Sequence, residues 1–302
     1  MIVQIYEIQT PQEADKCIDL GVDHIGSVLL SKNGWQVPAL KEVIHLTENT
    51  STKSNLIPLF HDIETLKRAL DYYQPHYVHF CESLTDNHGK ERDLEGFIEF
   101  QSRLKQDFPE IGIMRSIPIP QKAAALHFPS LEIARALEPV SDIFLTDTWL
   151  GKEPVHGYVG ITGKRADWEM ERKLVIQSEI PVILAGGLSP ENAYRTLMRV
   201  MPAGADSCTK TNMVDKSGKP VRFKKDFKKV KQFVQEVRRA EHELRSKREL
   251  LEKKLNEQKA DLREREAALP AHSVRPNQII AIEALEEEIA SKENELKRFR
   301  KI

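Results

Sequence analysis

The chain has 302 residues, of which 40% are hydrophobic and 30% charged, and its formal net charge is −1. This length suits one large domain with an appendage, and the near-neutral charge gives no general attraction to nucleic acid. No apolar run approaches the roughly 18 residues of a transmembrane helix, and the N-terminus has no basic-then-apolar leader. The three cysteines are far apart. We therefore expect a cytoplasmic protein with no disulfide and no membrane partner.

Short apolar runs alternate with helical patterns through the first part of the chain, up to about residue 220. The first run ends in Glu7-Ile8-Gln9-Thr10 without a glycine, whereas a doubly wound sheet more often has one dominant glycine-rich turn there. Eight strands, each followed by a helix, predict an α/β fold of the (β/α)8 barrel type. The predicted strands are Ile2–Ile8, His24–Leu30, Leu56–Phe60, Tyr77–Cys81, Gly112–Ile117, Ile143–Thr146, Pro181–Ala185 and Ala205–Cys208.

The helical patterns between these strands have recognisable start signals. Asp62 and Ser130 precede two of them as predicted N-caps. The predicted helices are Gln12–Leu20, Ala39–Leu46, Ile63–Tyr73, Leu94–Asp107, Leu131–Leu137, Asp167–Ser178 and Pro190–Val200.

Two glycine-rich loops lie about one strand–helix unit apart in the segment from residue 160 to residue 190. Ser189 is a natural N-cap for a helix that starts at Pro190, just after the second loop. Small residues let the backbone approach an anion, and the free N–H groups and dipole of a helix N-terminus attract it. The loops predict a phosphate site, although ordinary tight turns would also explain their glycines. These are Gly160, Gly163, Gly186 and Gly187.

The sequence changes character at about Phe223, where a run without proline or glycine begins and extends to Leu269. After a break at 270–276, which includes His272, a second helical pattern follows. Two helices joined by a short proline-bounded turn predict an antiparallel hairpin, and the first part of the long helix closes the barrel as its eighth helix. The apolar positions follow an interrupted heptad pattern. They are Val230, Val234, Val237, Leu244, Leu251, Leu255, Leu262 and Leu269, then Ile282, Leu285, Ile289, Leu296 and Phe299.

We divide the chain into a barrel over residues 1–240 and a coiled-coil hairpin over residues 241–302. An exposed hairpin with one apolar seam per helix is only marginally stable alone, so we expect a homo-oligomer that forms through it. The long helix has an excess of basic residues, but such a face is usually solvated. Nucleic acid is therefore not an expected partner, and docking of a protein or nucleic acid there is the weakest hypothesis.

Ligands of such a barrel lie at the C-terminal ends of its strands, so the candidate site residues are those at the predicted ends. Tyr6 and Glu7 follow strand one, and Lys32 follows strand two. His61, His79 and Cys81 could form a soft metal site, but they lack ligand-type spacing, so we expect no metal and no cofactor. The remaining candidates are Arg115, Asp147, Cys208, Thr209 and Lys210.

Three segments resemble motifs of the phosphoribosylanthranilate isomerase family of tryptophan biosynthesis. They are GITGKRADW (160–168), FLTDT (144–148) and PVILAGGLSPENA (181–193). The opening QIYEIQTPQEA (4–14) and GVDHIGSVLL (21–30) are also similar, and HFCES (79–83) and GADSCTKT (204–211) more loosely. The resemblance covers about residues 1–240 and leaves out the hairpin.

The resemblance implies an isomerase that carries out an Amadori rearrangement on a phosphorylated sugar-amine. In that family an N-terminal cysteine is the general base, a strand-six aspartate is the general acid, and glycine-rich loops hold the phosphate. Asp147 fits the acid, and the glycines of the two loops fit the phosphate site. Acid and base must face each other across the substrate, which opposite sides of a barrel mouth allow.

Three positions depart from the family pattern. Tyr6 stands in place of the base cysteine, and an ordinary tyrosine pKa of ~10 makes it a poor base. The family's arginine after strand two, which pairs the anthranilate carboxylate, is missing, and the nearest cation, Lys32, lacks the planar fork. Thr209-Lys210 replaces the strand-eight Ser-Gly of the family's phosphate site, where the lysine adds positive charge but the close backbone approach that glycine allows is hindered; we keep both as phosphate-binding candidates. We expect a phosphorylated ligand whose other half need not be an anthranilate, with Lys32, Arg115 and Cys81 as substrate contacts.

Plainer interpretations remain for the catalytic candidates. Asp147 could cap a turn, and Cys208 could fill the core rather than replace the base. Glu7 could serve as the base, but strand alternation should turn either Glu7 or Tyr6 away from the interior. The alternative to an enzyme is a non-catalytic barrel that binds a phosphorylated metabolite and assembles or signals through the hairpin.

Overall fold

The computed structural model describes residues 1–122, 127–269 and 275–299. The predicted break at 270–276, with His272, lies outside these residues except for its last two positions. Two compact units are distinguished, Met1–Arg239 and Ala240–Ile302. The first contains the candidate site.

The first unit is built on a closed barrel of eight parallel strands in sequence order, as predicted. Its strands are short and mostly buried, because helices cover the outside and side chains fill the interior. The barrel strands are β1 (Ile2–Ile5), β2 (His24–Leu29), β3 (Lys53–Pro58), β4 (Tyr77–Phe80), β5 (Gly112–Pro120), β6 (Ile143–Trp149), β7 (Val182–Leu184) and β8 (Gly204–Ser207).

Three strand ends differ from the predictions in a way that shapes the site. β1 stops at Ile5 rather than at Ile8, and Glu7 then adopts a left-handed backbone with φ +63°. β5 and β6 both run three residues further than predicted, and they pair up to Pro120 and Trp149. The longer β6 places Asp147 on a regular strand.

Helices follow the strands, and their starts match the predictions at some positions only. Asp62 caps its helix by accepting a hydrogen bond from the Thr65 N–H at 2.9 Å. Ser130 is not a cap, because its hydroxyl donates to the Pro118 carbonyl at 2.6 Å. The helices are α1 (Pro11–Asp19), α2 (Pro38–Thr47), α3 (Ile63–Tyr73), α4 (Glu95–Asp107), α5 (Ser130–Leu137), α6 (Trp168–Gln177), α7 (Ala193–Val200), α8 (Phe227–Ala267) and α9 (Pro276–Lys297).

The predicted helix start at Ser189 and Pro190 is wrong. A turn occupies residues 190–192, and α7 begins only at Ala193. The turn is closed by the Asn192 side chain, which accepts from the Ser189 N–H at 2.9 Å and donates to the Gly187 carbonyl at 3.1 Å. The paired glycines therefore lead into this turn and not directly into a helix N-terminus.

A short antiparallel hairpin that the sequence did not predict follows β8. Its strands are β9 (Asn212–Val214) and β10 (Pro220–Lys225). The helix α8 then starts at Phe227, and its first part packs on the barrel through buried residues such as Phe233 and Val237. Arg238 fastens it by donating to the Asp23 carboxylate at 2.7 Å.

The second unit pairs the C-terminal part of α8 with α9. Leu255, Leu285 and Ile289 are buried together, and the Lys259 ammonium pairs with the Glu293 carboxylate. Apolar residues at heptad-like spacing in each helix form this seam. Among the residues that the structure describes, no helix is long and apolar enough to span a bilayer.

Candidate active site

A cavity of about 720 Å³, counted out to the open solvent at its mouth, lies at the C-terminal end of the barrel. It is lined by the last residues of the strands and by the loops that follow them. Most of the predicted site residues line it together: Tyr6, Glu7, Cys81, Asp147, Gly163, Gly186, Gly187, Cys208, Thr209 and Lys210.

Two predicted substrate contacts, Lys32 and Arg115, lie elsewhere. The Lys32 side chain is 56% exposed and pairs loosely with Asp62 at 3.7 Å. Arg115 is buried on the outside of the barrel, because its neighbours Met114 and Ser116 take the inward positions of β5. Its guanidinium donates to the Glu82 carboxylate at 2.7 Å. Neither Lys32 nor Arg115 lines the cavity.

Asp147 projects from β6 into the cavity and is half-buried. Burial raises the pKa of this carboxyl to about 7, and the nearby negative charge of Glu153 adds to the rise. The backbone hydrogen bond from Thr148 acts in the opposite direction but does not outweigh burial. Gly160 makes room for it: a Cβ at Gly160 would lie 1.9 Å from Asp147 Oδ2. A carboxyl group with this pKa is available at neutral pH both as an acid and as a base.

The glycine loops after β6 and β7 touch one another, which explains their composition. Gly186 and Gly187 have left-handed backbones, with φ +76° and +71°. A Cβ at Gly187 would lie 2.8 Å from the Lys164 carbonyl, and one at Gly186 would lie 2.4 Å from the Thr148 hydroxyl. Only glycine fits such positions without strain.

The loop after β8 reaches the same place. A Cβ at Gly163 would meet Thr209 Cγ2 at 3.3 Å and Lys210 Cε at 4.0 Å. The predicted phosphate-binding residues Gly163, Gly187, Thr209 and Lys210 therefore converge on one side of the cavity. On this side of the cavity, the glycine-rich backbone and the Lys210 ammonium are available to bind an anion.

Tyr6 crosses the barrel interior instead of pointing freely into the cavity. Its ring fills the space that a side chain at Gly26 would take, with Cδ1 at 1.9 Å from the Cβ position. Its hydroxyl lies 2.6 Å from His79 Nδ1, and His79 Nε2 lies 2.8 Å from the Ser116 hydroxyl. Burial holds the pKa of Tyr6 well above its usual value, helped by Asp206, and lowers the pKa of His79 to about 3. Both groups are thus neutral at physiological pH.

Glu7 lines the cavity next to Tyr6, contrary to the alternation expected of a strand. The left-handed turn at Glu7 breaks the alternation, so both side chains face the mouth. Its carboxylate accepts hydrogen bonds from Arg222 Nε at 2.7 Å, Asn212 Nδ2 at 2.8 Å and the Phe223 N–H at 3.1 Å. Burial alone would raise the pKa of Glu7, but these donors and Lys225 outweigh it and lower the pKa. Glu7 is accordingly ionised.

The two cavity cysteines, Cys81 and Cys208, stay protonated. Burial raises the pKa of both thiols, and neighbouring carboxylates add to the effect. A thiol that holds its proton at neutral pH is not a base or a nucleophile. This argues against Cys208 as a replacement for the base.

Among the lining residues that were not predicted site residues, two have acidic or basic side chains. Asp206 of β8, two positions before Cys208, accepts a hydrogen bond from Gln4 Nε2 at 3.3 Å. Burial and the nearby Asp147 raise the pKa of Asp206 well above its usual value, so it is neutral. Strand parity with Cys208 could have identified it. Arg222 comes from β10, and no local feature of the sequence predicts that it lines the cavity.

The residues that the structure describes contain no cluster of three or more His, Cys, Asp or Glu side chains suited to a metal ion. His79, one of the three residues considered for such a site, has hydrogen-bonding partners at both ring nitrogens.

Sequence comparison identifies a family. The family model described as N-(5'phosphoribosyl)anthranilate (PRA) isomerase matches residues 8–236. The isomerase of that name from Methanosarcina acetivorans is 33% identical over 136 residues, which is 45% of this chain and 53% of that protein. The one from Aquifex aeolicus is 28% identical over 239 residues, which is 78% of this chain and 98% of that protein.

These matches differ in extent. The chain spans about half the length of the Methanosarcina relatives. A solved structure of N-(5'-phosphoribosyl)anthranilate isomerase from Pyrococcus furiosus superposes with a TM-score of 0.54 at 21% identity, covering 79% of this chain and 99% of that one. At that identity the superposition shows a shared fold.

Proposed function

Because the chain belongs to the N-(5'-phosphoribosyl)anthranilate isomerase family, we propose that its barrel isomerises a phosphorylated N-aryl aminoribose, N-(5'-phosphoribosyl)anthranilate, as in tryptophan biosynthesis. One observation carries the proposal. Asp147, with a pKa of about 7, lines the same cavity as the converging loops of Gly163, Gly187 and Lys210. An acid beside an anion site is what a phosphosugar isomerase requires.

The loops hold the phosphate and so place the sugar ring beside Asp147. The protonated Asp147 carboxyl donates its proton to the ring oxygen. The C1–O bond breaks, and the nitrogen lone pair forms a protonated imine at C1. A base then removes the proton from C2, and the electrons of that bond form an enol-amine, which becomes the 1-amino-ketose.

We assign the base to Glu7 rather than to Tyr6, Cys208 or Asp206. A base must be deprotonated before it acts, and among these four cavity-lining groups only Glu7 has a lowered pKa. Its three hydrogen bonds make it a weak base. A weak base suffices because a C–H bond next to a protonated imine is acidic.

The test is turnover of N-(5'-phosphoribosyl)anthranilate, followed by the loss of its fluorescence. Asp147→Asn should lower kcat/KM by about 10²–10⁴-fold, since the amide is not acidic enough to protonate the ring oxygen. The wild-type kcat/KM should fall as pH rises above about 7, where Asp147 loses its proton. Glu7→Gln should lower kcat more than it raises KM.

Stabilisation by inorganic phosphate, measured as a rise in melting temperature, serves as the control. It should persist in Asp147→Asn, because the glycine loops are untouched. Unchanged turnover in Asp147→Asn would contradict the acid assignment. Phosphate binding without any turnover by the wild type would leave only a binding barrel.

We also propose that the chain forms a homo-oligomer through its helical hairpin. The hairpin exposes large apolar side chains, among them Leu250, Ile279 and Ile280. Association with a second copy would remove these apolar side chains from water. The three unpaired cysteines, Cys17, Cys81 and Cys208, are compatible with a reducing cytoplasm.

A further inference from the structure

The proposed substrate carries two anionic groups, a phosphate and the carboxylate of an ortho-aminobenzoate. The phosphate has a natural place at the loops around Gly163 and Lys210. The position after β2 offers no cation to the carboxylate, because Lys32 lies away from the cavity. A buried carboxylate without a cationic partner would be costly to bind.

Arg222 is the second cation of the cavity. Within the described part of the chain, Lys210 and Arg222 are the only lysine or arginine residues in its lining. Lys210 lies close to Gly163 at the β6 side. Arg222 reaches the cavity from β10 and meets Glu7 at the end of β1.

The surroundings of Arg222 fix its guanidinium in one place. Nε donates to Glu7 Oε1 at 2.7 Å, and the guanidinium carbon lies 4.6 Å from the centre of the Phe223 ring. Phe223 is itself tied to Glu7 through its N–H at 3.1 Å. An arginine held in this way loses little further freedom when it binds a ligand.

The two Nη atoms of the guanidinium remain available to a ligand. Neither Nη atom of Arg222 has a hydrogen-bonding partner among the residues that the structure describes, and the side chain is 39% exposed. Two parallel N–H donors match the two oxygens of a carboxylate. The buried Lys225, whose Nζ donates to the Cys208 carbonyl at 2.8 Å, adds positive charge near Glu7.

The structure of the substrate also requires that its carboxylate be bound near the catalytic base. In an ortho-aminobenzoate attached through its nitrogen to C1 of the sugar, only a few bonds separate the carboxylate from C2. The group that holds the carboxylate must therefore lie close to the base that takes the C2 proton. Arg222 is in direct contact with Glu7, the assigned base.

We propose that Arg222, presented by the β9–β10 hairpin, binds the aromatic carboxylate of the substrate and so determines the specificity of the site. This inference rests on the proposed isomerase function. It transfers carboxylate recognition from the loop after β2 to a hairpin that follows the last barrel strand.

The experiment compares two substrates on the full-length chain, N-(5'-phosphoribosyl)anthranilate and N-(5'-phosphoribosyl)aniline, which lacks the carboxylate. In Arg222→Gln the ratio of their kcat/KM values should fall by about 10- to 100-fold, the effect of losing a charge-assisted bidentate contact. Any loss that arises through Glu7 should affect both substrates alike and cancel in this ratio. Gln keeps an N–H donor for Glu7, and melting temperature reports whether the hairpin is retained.

Lys224→Gln is the matched control, because Lys224 is an exposed cation on the same strand and does not line the cavity. It should leave the ratio unchanged. Binding of free anthranilate, followed by its fluorescence, gives a second measurement that needs no turnover. Arg222→Gln should weaken this binding about tenfold or more and leave the binding of inorganic phosphate as it was.

The outcomes separate the two proposals. Turnover with an unchanged substrate ratio in Arg222→Gln overturns the role of Arg222 and leaves the isomerase standing. Anthranilate binding that depends on Arg222 without any turnover supports that role and overturns the isomerase. Anthranilate binding that is the same in wild type and Arg222→Gln overturns the role of Arg222 in either case.

Discussion

Gly157 and Gly160 lie on the same loop after β6. They show two different reasons for a glycine, a left-handed backbone and space for a neighbouring side chain. Both have left-handed backbones, with φ +85° and +101°. A Cβ at Gly157 would meet nothing within 4 Å, whereas one at Gly160 would collide with the Asp147 carboxylate. Gly157 therefore satisfies the backbone alone, and Gly160 also leaves room for the assigned acid.

Gly160→Ala should lower kcat/KM by about 10²-fold, because the methyl group displaces the Asp147 carboxyl by an ångström or more. Gly157→Ala should keep nearly wild-type kcat/KM. Both variants should lose roughly 1–2 kcal/mol of unfolding free energy, the cost of a left-handed non-glycine residue. Steady-state kinetics and urea unfolding of the pair measure the two effects. Equal kinetic losses in both variants would show that Gly160 acts only through the backbone.

At the scale of elements, the helical hairpin has an inner seam and also carries large apolar side chains that are exposed to solvent. Leu255, Leu285 and Ile289 are buried in the seam. Leu250 and Ile280 are 55% and 64% exposed. The heptad-like pattern of the sequence predicts the seam, but the exposed residues are free for contacts with a second copy.

The double variant Leu250→Glu with Ile280→Glu should convert the proposed homo-oligomer to a monomer, because each glutamate places a charge in an apolar contact. Multi-angle light scattering on the full chain gives the mass. Asn256→Glu with Ala284→Glu adds the same charges at exposed positions of the same two helices and should keep the wild-type mass. If the Leu250→Glu with Ile280→Glu variant remained an oligomer, or if the wild type were a monomer, association through these side chains would be refuted.

At the scale of the whole molecule, burial in the barrel raises the pKa of several carboxyl groups, which therefore hold their protons more tightly than in the unfolded chain. Asp147 and Asp206 face the cavity, and Glu171 of α6 lies behind β6, where it accepts from the Thr146 hydroxyl at 2.9 Å. Burial raises the pKa of Glu171 to about 8 from an ordinary value of 4.5. The folded chain thus holds protons that the unfolded chain releases, and folding stability should fall as pH rises between these values.

Glu171→Gln should flatten this fall, because the amide keeps the hydrogen bond from Thr146 and has no proton to lose. Each such group contributes a slope of at most about 1.4 kcal/mol per pH unit. The variant should therefore gain unfolding free energy relative to wild type from pH 5 to pH 8, as measured by urea unfolding across that range. Glu110→Gln, at an exposed position, should follow wild type. A constant difference between Glu171→Gln and wild type at every pH would contradict the buried-proton explanation.

The sequence by itself determined the order of strands and helices, and with it the closed barrel. Hydrophobic alternation and cap residues are local signals, and they also placed Asp147 and the glycine loops on the correct strand ends. They did not predict the left-handed turn at Glu7, which ended β1 early and brought Tyr6 and Glu7 to the same mouth. They also misplaced the start of α7 and missed the β9–β10 hairpin.

The tertiary structure alone decided which of these residues meet. Arg115 is turned outward by strand parity, and Arg222 contacts Glu7 across 215 residues of chain. No local pattern encodes that pair, because barrel closure and the hairpin after β8 create it together. Burial raises the pKa of Asp147 and Asp206, whereas hydrogen bonds and Lys225 outweigh burial at Glu7, and these properties of the folded chain decide which carboxyl group can give a proton and which can take one.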